Sequence, residues 1–147
     1  MQIAVIDGQG GGIGKAIIEK LKVAFDNKTA FDNDVEIIAL GTNALATSVM
    51  IKAGANQGAS GENAIVQNAP KADFIIGSIG IVAANSMLGE LTPLMARAVA
   101  ESPAKKILLP LNRCNIYVAG ITNIPLLHYI DDAIHLIQSM TGGYENV

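Results

Sequence analysis

A short apolar run, Ile3 to Ile6, closes on Asp7 and passes at once into Gly8-Gln9-Gly10-Gly11-Gly12-Ile13-Gly14, after which an amphipathic stretch begins. This order constrains the fold more than anything else in the chain. A brief apolar run bounded by Asp and Gly reads as a buried strand. From Ile13 to about Phe25 the residues Ile13, Ile17, Leu21 and Ala24 recur at helical spacing, while Lys15, Glu19, Lys20 and Lys22 take much of the other surface. A polar turn over Asp26 to Asp34 then leads to a second apolar run, Val35 to Leu40. Strand, helix and strand in that sequence make a βαβ unit, and a βαβ unit commits the chain to a parallel sheet.

The remainder continues the alternation. Asn43 and Gly54 bracket a helix over roughly Ala44 to Ala53 as N-cap and stop. Ala55 to Gly61 reads as a loop of small residues, followed by a short helix over Glu62 to Asn68 that Pro70 ends. Asp73 to Gly77 is a third strand with the exit Ser78 to Gly80, and Thr92-Pro93 starts another helix. Lys106 to Leu109 is a fourth strand. Ile116 to Ala119 is expected as a fifth, across an Asn112-Arg113-Cys114-Asn115 turn, and Pro125 to about Met140 forms the last helix before Gly142-Gly143. Half of the residues are hydrophobic but only 4% are aromatic, which suits a sheet of aliphatic strands packed closely by helices. The expectation is α/β: a single Rossmann-like three-layer domain over residues 1–147, with a mainly parallel sheet of about five strands.

Several function classes are excluded at this level. A net charge of -3 with no run of Lys or Arg argues against nucleic acid, which requires a basic face. The single Cys114 permits no internal disulfide, and no apolar stretch approaches the roughly 20 residues that cross a bilayer, so no membrane partner and a cytoplasmic location are expected. A mean hydropathy of +0.39 is high for a small monomer and points to a homo-oligomer, most simply a homodimer.

The glycine loop lies between strand and helix, where unpaired N–H groups at a helix start can meet a phosphate. Its spacing separates the candidates. The dinucleotide pattern G-x-G-x-x-G needs glycine at Ile13 or Lys15, and the P-loop pattern needs glycine at Gln9 and a hydroxyl at Ala16. The spacing Gly8, Gly12, Gly14 instead resembles the glycine loop of the short-chain dehydrogenase/reductase family, over the first βαβ unit only and with Asp7 where that family usually has Thr. That resemblance implies NAD or NADP as cofactor. The residues depart from it elsewhere: Leu40-Gly41-Thr42-Asn43 supplies no carboxylate for a ribose, and no Tyr-x-x-x-Lys is present. Over nearly its whole length the chain resembles a family of small bacterial proteins catalogued as a domain of unknown function. The matching stretches are Ile3 to Lys15, Ala39 to Thr47, Gly58 to Ala64, Asn85 to Glu90 and Pro110 to Asn115. That resemblance implies a Rossmann-like fold and carries no reaction.

In a parallel sheet the ligand crevice lies beyond the carboxyl ends of the strands. Those ends carry Gly8 to Gly12, Gly41 to Asn43, Gly77 to Gly80 and Asn112-Arg113. The expected phosphate-bearing ligand is cradled by Gly8, Gln9, Gly10, Gly11, Gly12, Ile13 and Gly14. Thr42 and Asn43 would face a ribose, with Ser78 and Asn112 on the rim and Arg113 available to a phosphate or carboxylate. The plainer reading of the glycines is a tight turn, that of Arg113 a surface ion pair, and that of Cys114 packing. His128, Asp131, Asp132 and His135 share one helix face, read as the solvated side rather than a metal site. Gly54 to Asn63 is expected as a lid or subunit contact. No acid–base or nucleophile pair can be placed, so three readings stay open: a nucleotide-binding or sensor protein without catalysis, an NAD(P)-dependent oxidoreductase, and an interaction protein with a vestigial loop.

Overall fold

The computed structural model describes residues 1–25, 35–111 and 114–142. The turn expected over Asp26 to Asp34, together with Asn112, Arg113 and Gly143, lies outside them. In chain order the elements are β1 (Gln2–Asp7), α1 (Gly12–Phe25), β2 (Glu36–Gly41), α2 (Ala44–Lys52), β3 (Gln57–Ser60), α3 (Glu62–Asn68), β4 (Phe74–Ser78), α4 (Pro93–Glu101), β5 (Lys105–Leu109) and α5 (Leu126–Met140). Two helix starts follow the expected side-chain chemistry. Asn43 Oδ1 accepts the Ala46 amide at 2.8 Å, and Thr92 Oγ1 accepts the Met95 amide at 3.2 Å. Each such cap is worth about 1 kcal/mol.

The strands form one parallel sheet in the order β3-β2-β1-β4-β5. Their registers bring the carboxyl ends level: Asp7 pairs with Gly41, Gly41 with Ser60, and Ser78 with Leu109. Alternation along β1 divides the core into two layers. Ile3 and Val5 face Ile17, Leu21, Met50 and Ile134 from α1, α2 and α5, whereas Ala4 and Ile6 face Ile65, Met95 and Val99 from α3 and α4. The result is helix, sheet, helix, as the aliphatic composition implies. Ile17, Ile18 and Leu21 are wholly buried, and each contributes on the order of 2 kcal/mol by leaving water.

Two sequence expectations need correction. The fifth strand is not Ile116 to Ala119, a stretch that forms no strand and leaves Tyr117 78% exposed. It is Gln57–Ser60, read from sequence as loop. Those residues carry no apolar alternation, yet their backbone pairs with β2 from Ile38 to Gly41. Smallness is what the position demands, since a Cβ on Gly58 would come within 2.8 Å of Ile51 and 2.9 Å of Thr47 on the overlying α2. The stretch Gly54 to Asn63 is therefore an edge strand and the start of α3. The segment that covers the strand ends is Ala83 to Leu91, between β4 and α4.

Candidate functional site

From β1 the chain runs to β2 on one side of the sheet, and β4 lies on the other, so the order reverses between β1 and β4. Crevices in open α/β sheets form at this switch point. A cavity of about 590 Å³ lies there, lined by Asp7, Gly8 to Ile13, Ser78 and Gly80, by Ser86 to Leu88, and by Leu111, Cys114 and Leu126. That volume is in the range of small-molecule sites.

The loop amides divide into two sets. Asp7, 5% exposed, ends β1 beneath the loop; its Oδ1 accepts Gly8 N–H at 2.8 Å and its Oδ2 accepts Gly14 N–H at 2.7 Å. A carboxylate against the first turn of α1 is favourable there, because that end carries partial positive charge. Gly11 N–H closes the turn onto Gly8 O at 3.0 Å, and Gln9 N–H donates to Glu90 Oε1 at 3.0 Å. The amides of Gly10, Gly12 and Ile13 have no acceptor among the described residues, and all three residues line the cavity.

The glycines sort in the same way. A Cβ on Gly8 would lie 2.5 Å from Thr42 Oγ1 and 2.7 Å from Met87 Sδ, and one on Gly14 would strike Met50 Sδ. Gly11 combines φ +73° with Ala46 Cα at 2.9 Å from such a Cβ. Packing therefore accounts for those three. At Gly10 and Gly12 a Cβ would meet nothing within 4 Å, so protein packing does not require glycine there.

Of the other expected site residues, Ser78 comes to the cavity. It is 9% exposed, and its hydroxyl makes no hydrogen bond among the described residues. Thr42 and Asn43 do not line the cavity. Thr42 Oγ1 donates to Glu90 Oε1 at 2.8 Å and Asn43 Nδ2 to the same oxygen at 2.6 Å, with Asn43 Nδ2 also reaching Gln9 O at 3.0 Å. Asn112 and Arg113 lie outside the described residues.

Glu90 is the residue that sequence reasoning missed. Three donors converge on one of its oxygens. The Gln9 amide first, then the Asn43 side chain, hold its carboxyl below the ordinary glutamate range; desolvation opposes them less strongly, and the Thr42 hydroxyl adds the smallest lowering effect. Its segment is folded tightly on itself: Ser86 Oγ donates to Gly80 O at 2.6 Å and Asn85 N–H to Leu91 O at 2.8 Å. Asn85, Met87 and Leu88 have φ of 65°, 57° and 57°. Left-handed backbone costs roughly 1–2 kcal/mol at a residue with a side chain, so the segment carries strain just where it crosses the loop.

Chemically the cavity offers donors, apolar walls and one carboxylate whose two oxygens each accept an amide proton. No Lys, Arg or His lines it among the described residues. Cys114, half-buried, contributes a thiol with no neighbouring base in that lining. No three His, Cys, Asp or Glu side chains are grouped to hold a metal among the described residues, and Asp131 of the last helix pairs with Lys20 at 2.9 Å. No helix of the described residues is long and apolar enough to cross a membrane.

A family model described as a domain of unknown function (DUF3842) matches residues 2–142. No curated protein and no solved structure matches the chain.

Proposed function

Since the chain belongs to the DUF3842 family of unknown function, its activity has to be read from its own site, and we propose that it binds a small phosphate-bearing ligand of the nucleotide class at the β1/β4 crevice. One observation carries this reading. The Ser78 hydroxyl, on a residue only 9% exposed and without a hydrogen-bond partner among the described residues, opens onto the cavity that it shares with the three unpaired amides of Gly10, Gly12 and Ile13. Gly10 and Gly12 are exposed and no buried side-chain polar atom lacks a partner among the described residues, so these four donors stand open to a guest, and free amides at a helix start suit an anion. The phosphate rests on the amides, and the apolar remainder of the ligand packs on Ile13, Leu111 and Leu126. Binding without catalysis is the preferred form, because no acid–base pair is found in the lining among the described residues; an NAD(P)-dependent reaction would need a proton donor beyond these.

The test is a titration of isotopically labelled protein with inorganic phosphate, AMP and NAD, followed by amide NMR. Phosphate is expected to shift the Gly10, Gly12 and Ile13 resonances together. Shifts spread evenly over the surface, or none, would leave an interaction protein with a vestigial loop. We also propose that the chain self-associates, on the strength of exposed apolar side chains such as Leu88, Tyr117, Ile121 and Leu127; sedimentation of the pure protein gives the mass.

A further inference from the structure

A dinucleotide bound at a switch point lies across the strand order, its pyrophosphate at the helix start and one nucleoside toward the end of the second strand. In this protein that second half of the crevice is filled from within. Glu90 Oε1 collects the Gln9 amide, the Thr42 hydroxyl and the Asn43 side-chain amide, at 3.0, 2.8 and 2.6 Å. Three donors aimed at one oxygen are an oxyanion subsite, and its present occupant is the protein's own carboxylate. Beside it Met87 Sδ lies 2.7 Å from where a Gly8 Cβ would stand, so the segment sits directly on the loop. The cavity accordingly includes Gly8 to Ile13 and the end of β4 but no residue from the end of β2.

We propose that Glu90 is an internal anion that closes the β2 half of the crevice, so that the resting protein takes a ligand with one phosphate group and one nucleoside-sized body, and admits a dinucleotide only when Glu90 is displaced. This rests on the phosphate reading of the cradle and narrows its ligand class.

The experiment compares wild type, Glu90→Ala and Glu90→Gln, measuring affinity for inorganic phosphate and for NAD, with hydrogen exchange at the Gln9 amide as a readout that needs no ligand. Glu90→Ala is expected to speed exchange at Gln9 and to raise NAD affinity tenfold or more. Its phosphate affinity should rise by only about threefold, the effect of losing one nearby charge. Glu90→Gln keeps an acceptor of the same length and should stay nearer wild type in both exchange and NAD affinity. Equal NAD affinity in wild type and Glu90→Ala, with phosphate still bound, overturns the closure alone. Unchanged Gln9 exchange in Glu90→Ala also overturns it, because the contact would then not exist. Phosphate failing to bind any of the three removes the cradle reading first and the narrowing with it.

Discussion

Replacing Gly12 by alanine separates a ligand requirement from a packing requirement, because a Cβ there meets nothing within 4 Å. Alanine suits the first turn of a helix better than glycine, so Gly12→Ala should leave stability unchanged or raise it by up to about 1 kcal/mol. The same methyl group would project where the ligand approaches, and phosphate affinity should fall roughly tenfold, or about 1.4 kcal/mol. Gly14→Ala is the contrasting case. Its Cβ would strike Met50 Sδ and come within 3.0 Å of Asp7 Cβ, so the variant should lose about 1–3 kcal/mol by overpacking. Denaturant unfolding and a phosphate titration on both variants make the comparison. A Gly12→Ala protein that binds phosphate as wild type does would mean that the open space at Gly12 serves no guest.

At the scale of elements, the Ala83 to Leu91 segment is held closed over the loop partly by an ionised side chain, and that makes its closure pH-dependent. The Glu90 carboxyl is lowered in the folded protein, first by the Gln9 amide. Stability from such a group is complete above the unfolded-chain value and is lost as pH falls through the lowered folded value. Wild type should therefore exceed Glu90→Gln by a steady margin near neutrality, and that margin should close below about pH 4. Unfolding both proteins between about pH 7 and about pH 3 checks it; parallel curves would mean that the ionised contact contributes nothing. Closure of this kind was not legible in the sequence. Gln9 and Glu90 are far apart in the chain, and nothing local in the Asn85 to Glu90 stretch announces its target. Among the described residues the five α-helices and four of the five strands were legible, because apolar spacing, Asn43, Thr92-Pro93 and the glycines act locally. The fifth strand was not. Gln57 to Ser60 pairs through backbone alone, with side chains kept small for α2, whereas Ile116 to Ala119 has strand-like residues and no neighbour to pair with. The cradle was half legible. Spacing located the loop, but only the three-dimensional arrangement distinguishes amides taken by Asp7 and Glu90 from those left over.

At the scale of the whole molecule, the sheet is protected unevenly, and the unevenness bears on how copies of the chain meet. β1 is paired on both sides, by β2 and β4, and its Ile3 to Ile6 are buried against helices on both faces. β3 has one neighbour, four residues and mostly exposed side chains, so in an isolated chain its outer amides face water. Amides of β1 and β4 should then exchange hydrogen only through global unfolding, and those of β3 many-fold faster through local fraying. Hydrogen-exchange mass spectrometry at two protein concentrations tests this and also probes assembly. If copies associate through exposed apolar side chains such as Leu88, at the crevice, and Tyr117, β3 stays fast at both concentrations while peptides carrying those residues slow down at the higher one. If β3 itself becomes protected as concentration rises, the copies meet edge to edge, and the sheet continues from one chain into the next. That outcome would place the contact at the β3 edge and leave the crevice mouth open to solvent in the assembly.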